Sequence, residues 1–364
     1  MRQCHSEKES NKSIYKRSCN ERVADVAHEP SSEGWMKLQD APLVPNLKFR
    51  HFRGESDYPH VVTVMEEMRK TDQLEFAVSI EDVKRWVKQL ENCDPYRDLL
   101  VAEVDGKVIG FTRLEWNKDT KGVYLYSQYV YLLAAWRGKG IRNAMLRYNE
   151  QKLREAAQKH AADAPRFLQS TAADSEKDWI SVLNAEGYGI FRYGFDMRRP
   201  NLENIPDLPL PEGIEVRPVK PEHYRAIINA WNEACKDMRN QIPMSDEFFK
   251  SFQESPVFNP SLWQIAWHKN EVVGTILNFV NERENSEYKR KRGHVEAISV
   301  RRPWRGRGIA KALISRSLKL LKDNGMTEAA LGVDAENPSG ALHLYQKMGF
   351  QIEKKTIFYR KPMK

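Results

Sequence analysis

The chain has 364 residues, 41% hydrophobic and 30% charged, with a formal net charge of +8 at pH 7. These proportions fit a globular chain with room for two ordinary domains, and no stretch approaches the roughly 20 apolar residues that a bilayer crossing needs, so a membrane partner is not expected. The positive charge is dispersed and no aromatic-basic platform accompanies it, which argues against a nucleic-acid partner.

Residues 1–45 are rich in Ser, Glu, Lys and Asn with few aliphatics, and a disordered tail is expected there. They hold no apolar signal core, and Cys4, Cys19, Cys93 and Cys235 lack metal-ligand spacing. A cytoplasmic protein with no metal site and no disulfide frame is therefore expected. Residues 47–50 alternate like a strand and lead into a helical pattern. Two strand signals at 99–104 and 108–116 flank Asp105-Gly106, a hairpin turn dipeptide. A glycine turn, Trp136-Arg137-Gly138-Lys139-Gly140-Ile141, follows, and a further strand and helix end at Glu186-Gly187-Tyr188. Residues 200–213 carry Pro200, Pro206, Pro209 and Pro211 and read as a semi-extended linker.

The same succession then recurs. A strand signal at 214–217 precedes helical patterns, strands at 262–267 and 272–280 flank Lys269-Asn270, and an apolar run at 298–300 leads to Arg305-Gly306-Arg307-Gly308-Ile309-Ala310. Trp136 and Trp304, 168 positions apart, precede the two glycine turns, and Met348-Gly349-Phe350 repeats Glu186-Gly187-Tyr188. Two copies of one α+β unit, residues 46–199 and 214–364, explain this pattern.

A strand that turns through glycines into a helix presents backbone N–H groups at the positive end of the helix dipole, a seat for phosphate or pyrophosphate. A Walker loop requires Gly-Lys-Ser/Thr, which neither copy has. A dinucleotide fingerprint requires a third Gly or Ala where Lys311 stands.

The second turn instead resembles the pyrophosphate loop of the GCN5-related N-acetyltransferases (GNAT), with Arg305, Gly308 and Ala310 at its Arg/Gln-x-x-Gly-x-Gly/Ala positions. The segment from Leu331 to Phe350 resembles the same family's strand-to-helix signature, and the run Val333-Asp334-Ala335-Glu336-Asn337 is similar to that of the two-domain, mycothiol synthase-like members. The resemblance implies tandem GNAT domains, each a mixed, mostly antiparallel sheet flanked by helices. It also implies acetyl-CoA as cosubstrate, no metal, and a primary amine of a small molecule or peptide as acceptor. Ile298, Ser299 and Val300 would carry the pantetheine arm, Arg305 to Ala310 the pyrophosphate, and Tyr345 would protonate the departing thiolate. Asn337 suits an N-cap before Pro338 and equally a cofactor contact. Tyr345 also belongs to an apolar helical stripe with Ala341, Leu344 and Met348.

Acetyl transfer to an amine needs a base. The family places His or Glu at positions matching His294 and Glu296, which by alternation share one strand face with Ile298. In the first copy Tyr126, Gln128 and Leu183 stand where His294, Glu296 and Tyr345 stand in the second, and Arg142 replaces Ala310. Residues 46–199 therefore read as a degenerate copy, with Arg142 either crowding a pyrophosphate or binding it. The run Lys289-Arg290-Lys291-Arg292 reads as solvated loop charge, and the carboxylates Glu233, Asp237, Asp246 and Glu247 as an exposed helix face. Acyl-CoA sensing without turnover, or transfer of another acyl or aminoacyl group, are the rival functions. Neither the acceptor's identity nor the oligomeric state is legible in the residues.

Overall fold

Asp105 and Gly106 turn at φ 51° and 74°, and Lys269 turns at φ 52°, the left-handed values that let a tight turn follow the twist of an antiparallel hairpin. The structure, a computed structural model, describes residues 34–364 apart from 89, 91, 162, 238–241, 338–339 and 364. In the first half the chain forms β1 (Trp35–Met36), β2 (Leu47–His51), α1 (Tyr58–Thr71), α2 (Ile80–Lys88), α3 (Pro95–Asp98), β3 (Leu100–Val104), β4 (Lys107–Lys118) and β5 (Tyr124–Leu132). It continues with α4 (Ile141–Ala157), β6 (Arg166–Ala173), α5 (Lys177–Ala185) and β7 (Gly189–Arg199). The second half forms β8 (Glu215–Val216), α6 (Tyr224–Ala234), α7 (Asp246–Gln253), β9 (Gln264–His268), β10 (Glu271–Val280) and α8 (Glu282–Glu287). After these come β11 (Arg292–Val300), α9 (Ile309–Asp323), β12 (Glu328–Asp334), α10 (Ala341–Lys347) and β13 (Gln351–Pro362).

The thirteen strands form one sheet in the order β1-β2-β3-β4-β5-β6-β13-β7-β12-β11-β10-β9-β8. Most pairs are antiparallel, while β5–β6 and β11–β12 are parallel. At the centre the halves exchange their last strands. β13 lies between β6 and β7, and β7 lies between β13 and β12.

Helices cover both faces. In the second half α9 buries Ile309, Leu313, Ile314, Leu318 and Leu321 against Ile276, Val295 and Leu331. Each such side chain contributes about 1.5–3 kcal/mol on burial. The helix sits close: a Cβ at Gly293 would lie 2.5 Å from Leu321 Cδ2, so any larger residue there would push α9 off the sheet. On the opposite face Ile227, Ile228 and Phe249, from α6 and α7, pack with Trp263, Ile265, Trp267 and Leu277. The first half repeats the plan, with α4 on one face and α1 and α2 on the other.

The structure adds detail to two expectations. Of the expected disordered tail, residues 1–33 lie outside the described residues, whereas Trp35 and Met36 pair with Arg50 and Phe49 as an edge strand. The proline-rich segment, read as a semi-extended linker, is packed against the second half. Leu202 is buried, Ser315 donates to Pro206 O, and Lys319 and Lys322 pair with Asp207 and Glu203, so it lies along α9.

The exchanged strands make each half complete only in the presence of the other, because β12 without β7 has a row of unpaired backbone groups. Residues 200–364 expressed alone should lack a cooperative thermal transition by circular dichroism, whereas the whole chain should show one. A cooperatively folding fragment would contradict this.

Candidate active site

Gly306 and Gly308 lie at φ 75° and 88°, and no atom stands within 4 Å of where a Cβ would project from either. Positive φ and open space together make a cradle that only glycine forms without strain. The first bond of α9 runs from Ala312 N to Gly308 O, so the preceding amides of the helix start face outward at the positive end of its dipole. In front of them opens a cavity of about 610 Å³. It is lined by the expected Ile298, Ser299, Val300, Arg305, Gly306, Gly308, Ile309, Ala310, Asn337 and Tyr345, and also by Ala234, Trp304, Lys311 and Leu344. Arg307 is not among the lining residues. Its guanidinium stacks over the Trp304 ring, 4.9 Å from the centroid. Lys311 was not among the expected site residues; its ammonium at the start of α9 adds a positive charge beside the cradle.

The cavity exists because β11 and β12 part. They pair only from Arg292 to His294 against Glu328 to Ala330. In the gap that follows, Gly332 N donates to a carboxylate oxygen of Glu296 at 3.1 Å. The freed side of β11 is where an extended amide-bearing arm could bind, so the residues present fit an acyl-CoA.

The expectation that Glu296 and Ile298 share a face does not hold. Ala297 sits at φ 50°, and the β10–β11 register shifts between Leu277↔Glu296 and Thr275↔Ser299. This is a β-bulge, which inserts one residue and reverses the alternation. Val295 and Ile298 pack toward α9, while Glu296 shares the other face with Ser299. Thr275 secures the bulge through its hydroxyl, which donates to Ala297 O at 2.9 Å and lies 2.7 Å from Ser299 Oγ.

Electrostatics separates the candidate bases. Burial, with a smaller push from Asp196, raises the Glu296 carboxyl to about 7, although the Gly332 amide pulls the other way. His294 stacks flat on Phe279 with ring centroids 4.5 Å apart. Burial, then Arg292 and Arg290, lowers its pKa to about 4. Tyr345 is only 6% exposed, and its hydroxyl has no hydrogen-bond partner among the described residues. Burial and then the Glu296 charge keep it protonated far above neutrality.

Asn337 is not the cap of α10. That helix starts after Gly340 at φ 72°, and Asn337 N instead closes a turn onto Asp334 O; Pro338 and Ser339 lie outside the described residues. The Arg305 side chain turns inward, donating to Val300 O at 3.0 Å and Ala234 O at 2.8 Å, and so ties the loop to α6.

A second cavity, about 520 Å³, opens on the Glu296 side at the seam between the halves. Its walls include the 73–76 loop, Asp174 and Asp196 from the first half, and Glu284, Arg292, His294, Glu296 and Lys354 from the second. The basic run is not solvated loop charge throughout. Arg290 pairs with Glu75 and Glu284, and Arg292, 6% exposed, pairs with Glu75, Glu328 and Glu353. Although burial alone would raise it, bonds from Arg290 and Lys354 hold Glu75 at about 2. Two of the helical carboxylates are paired at the surface, Glu233 with Arg301 and Asp246 with Arg225, as an exposed face would be; Glu247 has no ion pair among the described residues, and the Asp237 side chain lies outside them.

The first half has the same turn, with Gly138 and Gly140 at φ 71° and 78°. Arg142, which the sequence left open, is 3% exposed and turned inward. It donates twice to Val130 O, at 3.1 and 2.9 Å, pairs with Asp178 and stacks over Trp179. Gln128 is buried and bonded to Tyr188, and Leu183 is core.

Two family models match the chain: Acetyltransferase (GNAT) family over residues 225–350 and Acetyltransferase (GNAT) domain over residues 95–174. Together they span more than half of it, and the chain belongs to the GNAT acetyltransferases as a tandem member. Among curated relatives, a mycothiol acetyltransferase of Streptomyces bingchenggensis is 28% identical over 273 residues, 72% of this chain and 80% of the relative. The N-alpha-acetyltransferase MAK3 of Arabidopsis thaliana is 35% identical over 100 residues, 28% of this chain and half of the relative. A solved GCN5-related N-acetyltransferase from Sphaerobacter thermophilus superposes with a TM-score of 0.69 at 25% identity, over 88% of this chain and 96% of that one. A tandem GNAT protein from the clavulanic acid pathway shares the fold, with a TM-score of 0.61 at 14% identity, over 87% of this chain and 98% of that one. Among the described residues no helix is long and apolar enough to cross a membrane, and no group of three or more His, Cys, Asp or Glu is placed to hold a metal ion.

A raised folded-state pKa has a thermodynamic signature. Glu296 destabilises the fold progressively as pH rises from its ordinary value of 4.5 toward about 7, and makes no such difference below that window. Glu296→Gln should therefore gain stability over the parent between pH 5 and pH 8 in urea unfolding, by at most about 3 kcal/mol before solvent screening. Parallel pH profiles for the two proteins would mean an ordinary carboxyl.

Proposed function

We propose that the chain transfers the acetyl group of acetyl-CoA to a primary amine of a small molecule or peptide, at one site in the second half. The observation that carries this reading is the position of Glu296, raised to about 7 and set beside the cavity headed by the Gly306–Gly308 cradle. Acetyl-CoA supplies an activated thioester carbonyl. The amides of 306–311 suit its pyrophosphate, and the free edge of β11 at Ser299 and Val300 suits its pantetheine arm and thioester oxygen.

Glu296 is the base. A carboxyl near 7 is half ionised at neutral pH and takes a proton from an incoming ammonium far more readily than an ordinary glutamate. His294, at about 4, stays neutral but is a poor base, and lines the second cavity. The Tyr345 hydroxyl, held protonated and unpartnered, is the donor for the departing sulfur. In the first half the place of Ala310 is taken by the inward-turned Arg142, which suits support of the fold rather than cofactor binding.

With an accepted amine, the rate should fall as pH drops through about 7, and Glu296→Gln should lower it by roughly 10²–10⁴-fold and flatten that limb. Tyr345→Phe should lower kcat with little change in the KM for acetyl-CoA; an unchanged kcat would remove Tyr345 from the mechanism. Calorimetric titration with acetyl-CoA should give one site per chain. A second site of similar affinity would overturn the reading of Arg142 as a plug.

A further inference from the structure

The seam cavity lies on the Glu296 face of β11, and the exchanged strand β7 brings the first half to it. On β7, Asp196 stands in register with Gly332 on one side and Lys354 on the other. Gly332 is the residue whose amide holds Glu296. Asp196 thus neighbours the base although 100 residues of chain separate them. It lines both the 520 Å³ cavity and a smaller recess of about 270 Å³ that also borders Glu296.

Most charges around this space are paired; among the described residues the exceptions are Asp174, Asp196, Glu296 and Lys355. Arg292 is held by Glu75, Glu328 and Glu353, and Lys354 by Glu75 at 3.1 Å. The Lys355 ammonium lies 3.8 Å from the Tyr193 ring centroid. Among the described residues, the side chains of Asp174 and Asp196 have no hydrogen bond or ion pair, and both belong to the first half. A cavity of this size takes a small ligand. Its unpaired carboxyls, Asp174, Asp196 and Glu296, outnumber its one unpaired cation, Lys355, so an ammonium and further hydrogen-bond donors would be stabilised there, whereas a carboxylate on the ligand would meet an excess of negative charge.

We propose that this seam cavity is the acceptor site, that it takes a small cationic amine carrying no anionic group, and that Asp196 positions the amine for Glu296 while Asp174 receives a second donor group. The proposal rests on the acetyl-transfer reading above and adds to it a role for the half that lacks a base. Asp196 is a positioning residue: it holds the ammonium near Glu296 and takes no proton from it.

The test uses the full chain, acetyl-CoA and two groups of amines assayed by thiol release. Putrescine, spermidine and glucosamine carry no acid, whereas glycine, β-alanine and a glutamate-containing dipeptide do. The acid-free group should lead by at least tenfold in kcat/KM. On the best of these amines, Asp196→Asn should raise the amine KM at least tenfold while the KM for acetyl-CoA stays within twofold, and Asp196→Glu should recover part of the loss. Calorimetric binding of acetyl-CoA to each variant checks that the fold is intact. Asp174→Asn should weaken spermidine more than a monoamine of similar length. Preference for the carboxylated amines, or an Asp196→Asn protein with unchanged amine KM, overturns this proposal and leaves acetyl transfer standing. A parent protein that binds acetyl-CoA yet acetylates neither group overturns both.

Discussion

The exchange of β7 and β13 is the constraint on which the rest of the molecule depends. Backbone donors and acceptors at the middle of a sheet must be paired, and here each half supplies the partner that the other needs. The exchange brings Asp196 next to Gly332, and the neighbouring 73–76 loop docks on the second half through Glu75, while Arg69 of α1 pairs with Glu287 of α8. Tyr288 joins the same seam, its hydroxyl accepting from Phe76 N at 3.1 Å. The seam cavity, and with it one whole side of Glu296, is a product of strand order.

Within that frame the proposed chemistry rests on one irregular residue. Ala297 occupies a left-handed conformation that costs a non-glycine residue about 1–3 kcal/mol, offset by the Thr275 hydroxyl and the surrounding ladder. The bulge points Ile298 toward α9 while Glu296 keeps the opposite face. One short stretch of strand thereby lines both cavities, Ile298 to Val300 the first and Glu296 the second.

The two halves show how little separates a binding groove from a packed one. Their glycine turns have matching backbone angles, yet Ala310 leaves space where Arg142 fills it and spends its donors on Val130 O and Asp178. Burial disfavours the charge of that guanidinium, and its partners on strand and helix compensate. The substitution of Ala by Arg was visible in the sequence. The direction of the side chain was not, because a long flexible residue at a helix start can reach out to an anion or fold back onto a carbonyl.

Local rules made much of the architecture legible in advance. Hairpin dipeptides, glycine turns and the apolar spacing of α9 each act through neighbours within a few residues, so the repeated α+β units, the cradle at Gly306 and Gly308 and the candidates Glu296 and Tyr345 could be named from residue order. What stayed hidden depended on distant partners. The expected cap at Asn337 gave way to Gly340, the basic run proved to hold two cross-links to Glu75 of the first half, and the proline segment packed along α9. Asp196 carries no motif at all. The sequence by itself determined the family, the repeated units and which polar side chains the second of them holds. Only the tertiary structure decided which face Glu296 occupies, how far its pKa rises and what stands opposite it, because bulge register, desolvation and strand exchange are set by contacts that no local pattern encodes.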